Sequence, residues 1–478
     1  MGQMIIRPLD SDVLGAAELK VVTGEIASIE LLEGDAANTD AEVIQYVNIQ
    51  KDSSVHAKEN VIHVDRFGQK LRCRVKFTQK GVFKFKIKLI PGPNNAVYSA
   101  TEKARNPNFE YTKGDIEFET DKNGEKIIEA DQIFVTPSGG DSFEISAIDY
   151  STKKEKKTAK IKTTRLLYYI EFKMNGLTTI TSQLNSFSNQ YNKCGIEFKR
   201  LPPLSISRKF NIKNNKETQM LCNDIFQTYK VSSNSQYSPY ALGIAYTDQL
   251  AIKKTGVVMD YANAKGGSKN SITILIKDKT TGQRCFLWND VEPTEDWFVD
   301  CYFIKNGGTT VDKISIPKTC CVIKPTVGYP TGYYDAVEVD LSKLPQEKGT
   351  VKLVVDCVDY MRGGLALPSL FPTAAICTRA WWQAISEQDQ NKIAIHEIGH
   401  KLGMVSDASG ALPDKPTYYY SGSGHNGNHC HKGLTAGLSD YRGLGVNSQC
   451  VMFGEIASQS SFCKECSEVV RKIDLSIL

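Results

Sequence analysis

The stretch HEIGHKLGMVSD, from His396 to Asp407, carries two histidines four residues apart with a glutamate between them. On a helix that spacing puts both imidazoles on one face, a turn apart, where they can share one ion. Zinc takes imidazole nitrogen at about 2.0–2.1 Å, so His396 and His400 read as two of its ligands. Glu397 stands beside them without being a ligand, placed to take a proton from a water whose pKa the metal draws toward about 7. A bland alternative is a helix that happens to carry two histidines. The context speaks against it: of seven histidines in the chain, five (His396, His400, His425, His429 and His431) fall in one short region. Gly399 and Gly403 interrupt an otherwise good helix, at up to about 1 kcal/mol each. Gly403 would let the chain turn away sharply after the second ligand.

The third ligand has to come from further along. Asp407 is the nearest carboxylate, and Asp440, in GLSDYRG, is another. GSGHNGNHC offers His425 and His429 in a glycine-rich loop whose backbone can bend back to the metal. His429 is preferred because it adjoins Cys430. Ties between Cys430 and the cysteines near Met452 would anchor His429 beneath the site, leaving His425 on the free part of the loop. His431, on the far side of Cys430, reads as a supporting or solvated residue.

Thirteen cysteines is an odd count, and four of them, Cys430, Cys450, Cys463 and Cys466, crowd the end of the chain. They can form two disulfides in an oxidising compartment, hold a structural zinc, or stay unpaired. A thioredoxin-like role for the C-x-x-C pair Cys463 and Cys466 lacks the surrounding βαβ pattern.

These side chains need elements to hold them. SEQDQNKIAIHEIGHKLG has the punctuation of a helix: Ser386 and Asp389 make a capping-box start worth about 1 kcal/mol. Ile395, Ile398 and Leu402 recur at helical spacing and should face a core. Just before it, GGLALPSLFPTAAICTRA (Gly363–Ala380) could supply an edge strand for an extended substrate. VKLVVDCVDY (351–360) is apolar enough for a buried strand. RLLYYIEFKM, then TTITSQLNSFSNQYNKCG ending at Gly195, then IEFKRL read as strand, helix, strand, the opening of an α/β layer. KETQMLCNDIFQTYKV is a further helix within an otherwise mixed region.

Upstream of residue 165 the patterning is all-β. GVFKFKIKLI alternates apolar residues with lysine, and DIEFET, KIIEADQIFV and FEISAIDY follow between turn signals such as PGPNN and PSGGD. Short strands at regular spacing imply β-sandwich modules, with a boundary near residue 92, serving as spacers or docking modules.

Composition sets the outer bounds. A chain of 478 residues predicts two to four domains at about 150 residues each. The net charge of +4 is spread over 58 basic and 54 acidic residues, with no basic block to suit nucleic acid. No run of about 18 apolar residues could span a membrane, and the N-terminal residues have no apolar core of a secretory signal. Either the protein stays in the cytoplasm or it leaves without a cleaved signal.

HEIGHKLG followed by CVMFG is similar to the metzincin metallopeptidases, whose pattern is H-E-x-x-H-x-x-G-x-x-H and a later methionine turn beneath the metal. His396, Glu397, His400 and Gly403 match that pattern, and Met452 is the methionine-turn candidate. Ser406 departs from it, occupying the third-ligand position with a neutral hydroxyl that is a poor zinc ligand. YSATEKARNPNF, TTRLLYYIEFKMNG, HEIGHKLGMV, GHNGNHC, CVMFG and FCKECSEVVRKIDLS together resemble bacterial metallopeptidase effectors associated with type VI secretion. The likeness runs from about residue 80 to the end. It implies export without a cleaved signal peptide, delivery into a target cell or periplasm, and secretion-apparatus and immunity-protein partners.

The expected fold is multidomain: N-terminal all-β, with Ig-like β-sandwich modules at 1–92 and 93–165, then an α+β zincin-like metallopeptidase domain at 166–478 carrying a mixed insertion at about 203–350. The expected function is a zinc-dependent endopeptidase with His396, His400 and His429 as ligands and Glu397 as base. The rival reading is a β-sandwich binding or structural protein with a non-catalytic structural zinc, for which a retained Glu397 would have no use.

Overall fold

The computed structural model describes residues 24–47, 70–98, 112–174, 184–402, 429–430 and 448–472, apart from short gaps within those ranges. It is rich in β-structure and built of several sheets. Among the described residues no helix is long and apolar enough to cross a membrane.

The chain opens with β1 (Ile26–Glu33), β2 (Glu42–Tyr46), β3 (Lys70–Phe77), β4 (Lys84–Pro91), β5 (Glu125–Phe134) and β6 (Ser142–Asp149). β3 pairs antiparallel with β1 on one side and β5 on the other. β4 and β6 pair in the facing sheet. The period of two in β4 buries Phe85, Ile87 and Leu89 while its lysines point outward. Those residues meet Ile29, Leu31, Cys73, Val75 and Ile128 from the other sheet in one core. The boundary expected near residue 92 is therefore absent. Strands from both sides of it pair with each other, because neither half alone offers a second sheet to cover its apolar face.

Nor does the chain divide at residue 165. β7 (Ile161–Met174) begins by pairing with β6 and continues as the middle of the same eleven-stranded sheet, parallel to β2, to β8 (Ile196–Arg200) and to β9 (Ala241–Thr247). Between β7 and β8 lies α1 (Leu184–Asn192), and α2 (Asn215–Lys230) precedes β9. α2 lays Leu221, Ile225 and Tyr229 against one face of this sheet. The turn at Gly195, expected from the sequence, adopts a φ of +72°.

After β9 the chain leaves the sheet to build a second sandwich from β10 (Gln249–Lys265), β11 (Phe298–Lys305), β12 (Tyr333–Val339) and β13 (Lys348–Arg362). β13 lies between β10 and β11, and β12 centres the facing sheet. Val257, Met259, Phe303, Val337, Val339 and Leu353 fill the space between them. The insertion thus runs from β10 to β13, not over 203–350. α2 and β9 lie outside it because their apolar residues belong to the central sheet.

The chain re-enters that sheet as β14 (Gly364–Leu367), an antiparallel edge strand, and β15 (Thr373–Cys377), parallel to β9. α3 (Glu387–Lys401) follows, and α4 (Lys464–Lys472) comes near the end. Alternate residues of the central strands face opposite layers: Leu167, Tyr169, Leu242, Ile244 and Ile376 face α1 and α3, while Tyr168, Ile170, Phe172, Ala245 and Ala375 face α2. A strand buried on both faces reads as a continuous apolar run, as RLLYYIEF does.

Two contacts weld the first sandwich to this layer. Arg471 on α4 pairs with buried Asp141 at 2.8 Å and donates to the Gly139 carbonyl at 3.1 Å. At Gly195, a Cβ would lie 2.4 Å from the Gly139 carbonyl carbon. Gly195→Ala should therefore cost more than the roughly 1–2 kcal/mol of a left-handed alanine alone. Gly256, at φ +64° with open space around it, is the control. In urea unfolding Gly195→Ala should lose clearly more stability than Gly256→Ala; equal losses would contradict the weld.

Candidate metal centre

α3 forms where its sequence says it should. Ser386 is its N-cap, accepting the Asp389 amide at 3.1 Å and donating its hydroxyl to the Asp389 carboxylate at 2.8 Å. Ile395, Ile398 and Leu402 are fully buried in one core with Phe187, Tyr191 and Met452. The Tyr191 hydroxyl, from α1, donates to the Ile395 carbonyl at 2.6 Å and so fixes the helix one residue before His396.

Three imidazoles converge above this core. His396 and His400 have ring centroids 4.7 Å apart, and His429 lies 5.3 Å from the first and 5.2 Å from the second. One ring nitrogen from each falls within 4.8 Å of the others. The Nε2 atoms of His396 and His400 are 3.0 Å apart, close to the roughly 3.3 Å that two nitrogens at about 2.0–2.1 Å from a tetrahedral ion must have. Nδ1 of His396 sits 2.8 Å from the carbonyl of Val451. A carbonyl only accepts, so Nδ1 carries the proton and Nε2 presents a lone pair to the cluster.

The surroundings hold these groups in the right charge state for ligands. Burial pulls the pKa of His400 well below its ordinary value, and neighbouring His396 and His429 pull it further. Burial lowers His396 as well, against the opposing effect of the Val451 bond. Burial pushes Glu397 up to about 8, resisted by Arg362, by the Ala366 amide that it accepts, and by Lys401. Lys401 also donates to the Leu367 carbonyl. Ala366 and Leu367 belong to edge strand β14, so that strand runs directly beside Glu397. Gly364 permits the approach: a Cβ there would lie 2.8 Å from Cγ of Glu397 and 2.5 Å from Ile393.

The structure thus brings together His396, Glu397, His400 and His429. Ser406, Asp407, His425, His431 and Asp440, and Gly403 with them, lie outside the described residues. Met452 is completely buried in the core under α3, and its carbonyl accepts the Cys430 amide at 2.8 Å. The four C-terminal cysteines are unbonded to one another, and their sulfurs all lie within 4.8 Å. Sequence reasoning missed Val451, Tyr191, Lys401 and Ala366, all four of which act at this site through backbone atoms or contacts to them. The only clue was the position of Val451 beside Met452 in CVMFG.

Compared with known proteins, the chain matches no family model and no curated protein.

Ligand identity is directly measurable. In chelator-competition titrations, His400→Ala and His429→Ala should each weaken zinc at this site by at least about 10–100-fold, more than loss of a supporting residue does. Asp407→Ala and His425→Ala should leave it unchanged. Full zinc affinity in His429→Ala would remove His429 from the ligand set.

Proposed function

We propose that this chain is a zinc-dependent endopeptidase with a zincin-like catalytic layer formed by β7–β9, β14, β15 and α3. The observation that carries this reading is the buried carboxylate of Glu397, set between two histidine ligands on one helix and touching an edge strand. The residues present fit zinc: three imidazoles converge, and among the described residues no fourth side chain joins them. A purely structural site would want a fourth protein ligand and would have no use for Glu397. When bound, the ion supplies Lewis acidity, polarising a carbonyl oxygen and making water acidic near neutral pH.

The chain's own residues supply the rest. An extended substrate pairs with the outer edge of β14, which no other strand covers among the described residues, and this places the substrate backbone beside Glu397. Glu397 takes the proton from the attacking water and passes it to the departing amine. Its raised pKa suits both steps, because a carboxylate in a dry site is a stronger base than one in water. His396 is held to one tautomer by Val451 throughout, and Lys401 steadies β14 through Leu367. The likeness to effectors of type VI secretion extends the proposal to delivery without a cleaved signal peptide. It also brings in secretion-apparatus and immunity-protein partners, and substrates in a target cell.

Glu397→Gln is the decisive variant. The amide fills the same space and accepts the Ala366 amide equally well, but it cannot act as a base. It should keep the fold and the metal while cleavage of a casein or peptide-library substrate falls by about 100-fold or more. Near wild-type cleavage by this variant would sink the mechanism, and chelator-insensitive cleavage by the parent protein would sink the metal's part in it.

A further inference from the structure

Four thiols stand apart from the histidine site, and the proposed chemistry makes no use of them. Cys430 comes from the segment that carries His429, Cys450 from the segment that carries Val451, Cys463 immediately precedes α4 and Cys466 lies in its first turn. Cys430, Cys450 and Cys466 are fully buried, and all four sulfurs form one group within 4.8 Å. The Cys430 and Cys463 sulfurs are 3.9 Å apart. Two sulfurs at about 2.3 Å from a tetrahedral zinc are separated by roughly 3.8 Å. Two disulfides would sort the sulfurs into bonded pairs, whereas here each has several sulfur neighbours and none is bonded. Backbone amides point at the sulfurs as well: Cys463 donates to Cys450 at 3.3 Å and Cys466 to Cys463 at 3.5 Å. Such donors support the negative charge of thiolates around a metal.

We infer that Cys430, Cys450, Cys463 and Cys466 hold a second, structural zinc ion, and that this ion clamps the histidine site into its ligand geometry. Four sulfur ligands close the coordination shell, leaving no position for water or substrate. The clamp follows from chain connectivity. Cys430 adjoins His429, and its amide donates to Met452 at 2.8 Å. Its strand-like bridge to Phe453 holds the two segments side by side. Cys450 adjoins Val451, whose carbonyl fixes the tautomer of His396. One ion therefore ties together the segment bearing the third ligand and the segment orienting the first. Without it, the two segments would be joined by the Cys430–Met452 hydrogen bond and apolar packing alone.

The test uses the full-length chain and its His396→Ala/His400→Ala double variant. Elemental analysis should find two zinc ions per parent chain and one per double variant. Cobalt exchanged into the double variant should show the intense near-ultraviolet absorption of sulfur-to-cobalt charge transfer. Titrating the parent protein with a mercurial, with a colorimetric zinc indicator present, should release both ions, because ejecting the thiolate-bound one loosens the other. A metal-free double variant, a cobalt spectrum without the sulfur band, or disulfide-linked peptides among these four cysteines in an unreduced digest would each overturn the site. Release of a single ion by the mercurial would overturn the clamp. None of these readouts depends on whether the chain cleaves peptides.

Discussion

A histidine binds a metal only through a nitrogen that carries no proton, so the bond from Nδ1 of His396 to the Val451 carbonyl constrains everything around it. For that carbonyl to reach the ring, the chain after α3 must travel away and return to the face of the helix it has just left. The return is secured by apolar burial: Cys450, Val451, Met452 and Phe453 are all buried to within 1% of fully. The same segment supplies the carbonyl that accepts the Cys430 amide, and Cys430 in turn positions His429. The tautomer of His396 and the location of His429 are thus set by a single stretch of four residues.

What was legible in the sequence was whatever depends on near neighbours. The capping residues of α3, its apolar stripe and its paired histidines all lie within one helix, where a fixed 3.6-residue period converts spacing into direction. The lysine alternation of β4 told which side was wet for the same reason. His429 could be preferred because it touches Cys430 in sequence. Pairing partners were not legible. Nothing local in β3 says that its neighbour will be β5, some fifty residues on and beyond a turn cluster that reads as a boundary. The start of the insertion was misplaced for a related reason: β9 and β13 are both apolar, and only the core each one joins separates them. A backbone carbonyl such as that of Val451 leaves no residue-type signature at all.

β7 changes what the first sandwich can do for the rest of the chain. A spacer or docking module joined by a linker would move independently, but here the joint is a continuous strand with hydrogen bonds on both sides of residue 165. Arg165 adds to the joint, donating from the central sheet to the Val470 carbonyl on α4 at 2.7 Å. Arg471, one residue further on, reaches back to Asp141 in the sandwich. The short helix that follows the cysteine cluster is therefore gripped from two sides. The sandwich acts as a rigid wall against which the C-terminal segment is pressed, and that segment carries Cys463 and Cys466.

Three imidazoles whose ring nitrogens converge turn lone pairs toward one another wherever they are unprotonated, which is repulsive unless a proton or a cation lies between them. Protonation is the ordinary remedy in water. Here it is made costly by burial, which lowers the pKa of both His396 and His400, so neutrality is favoured even as the pH falls through the range where free histidine charges. A cation drawn from solution resolves the conflict without a proton, and zinc suits nitrogen donors in this arrangement. The same dryness that disfavours the imidazolium ion also raises Glu397. Two histidines kept neutral and a carboxylate made more basic are thus two consequences of one poorly solvated helix face.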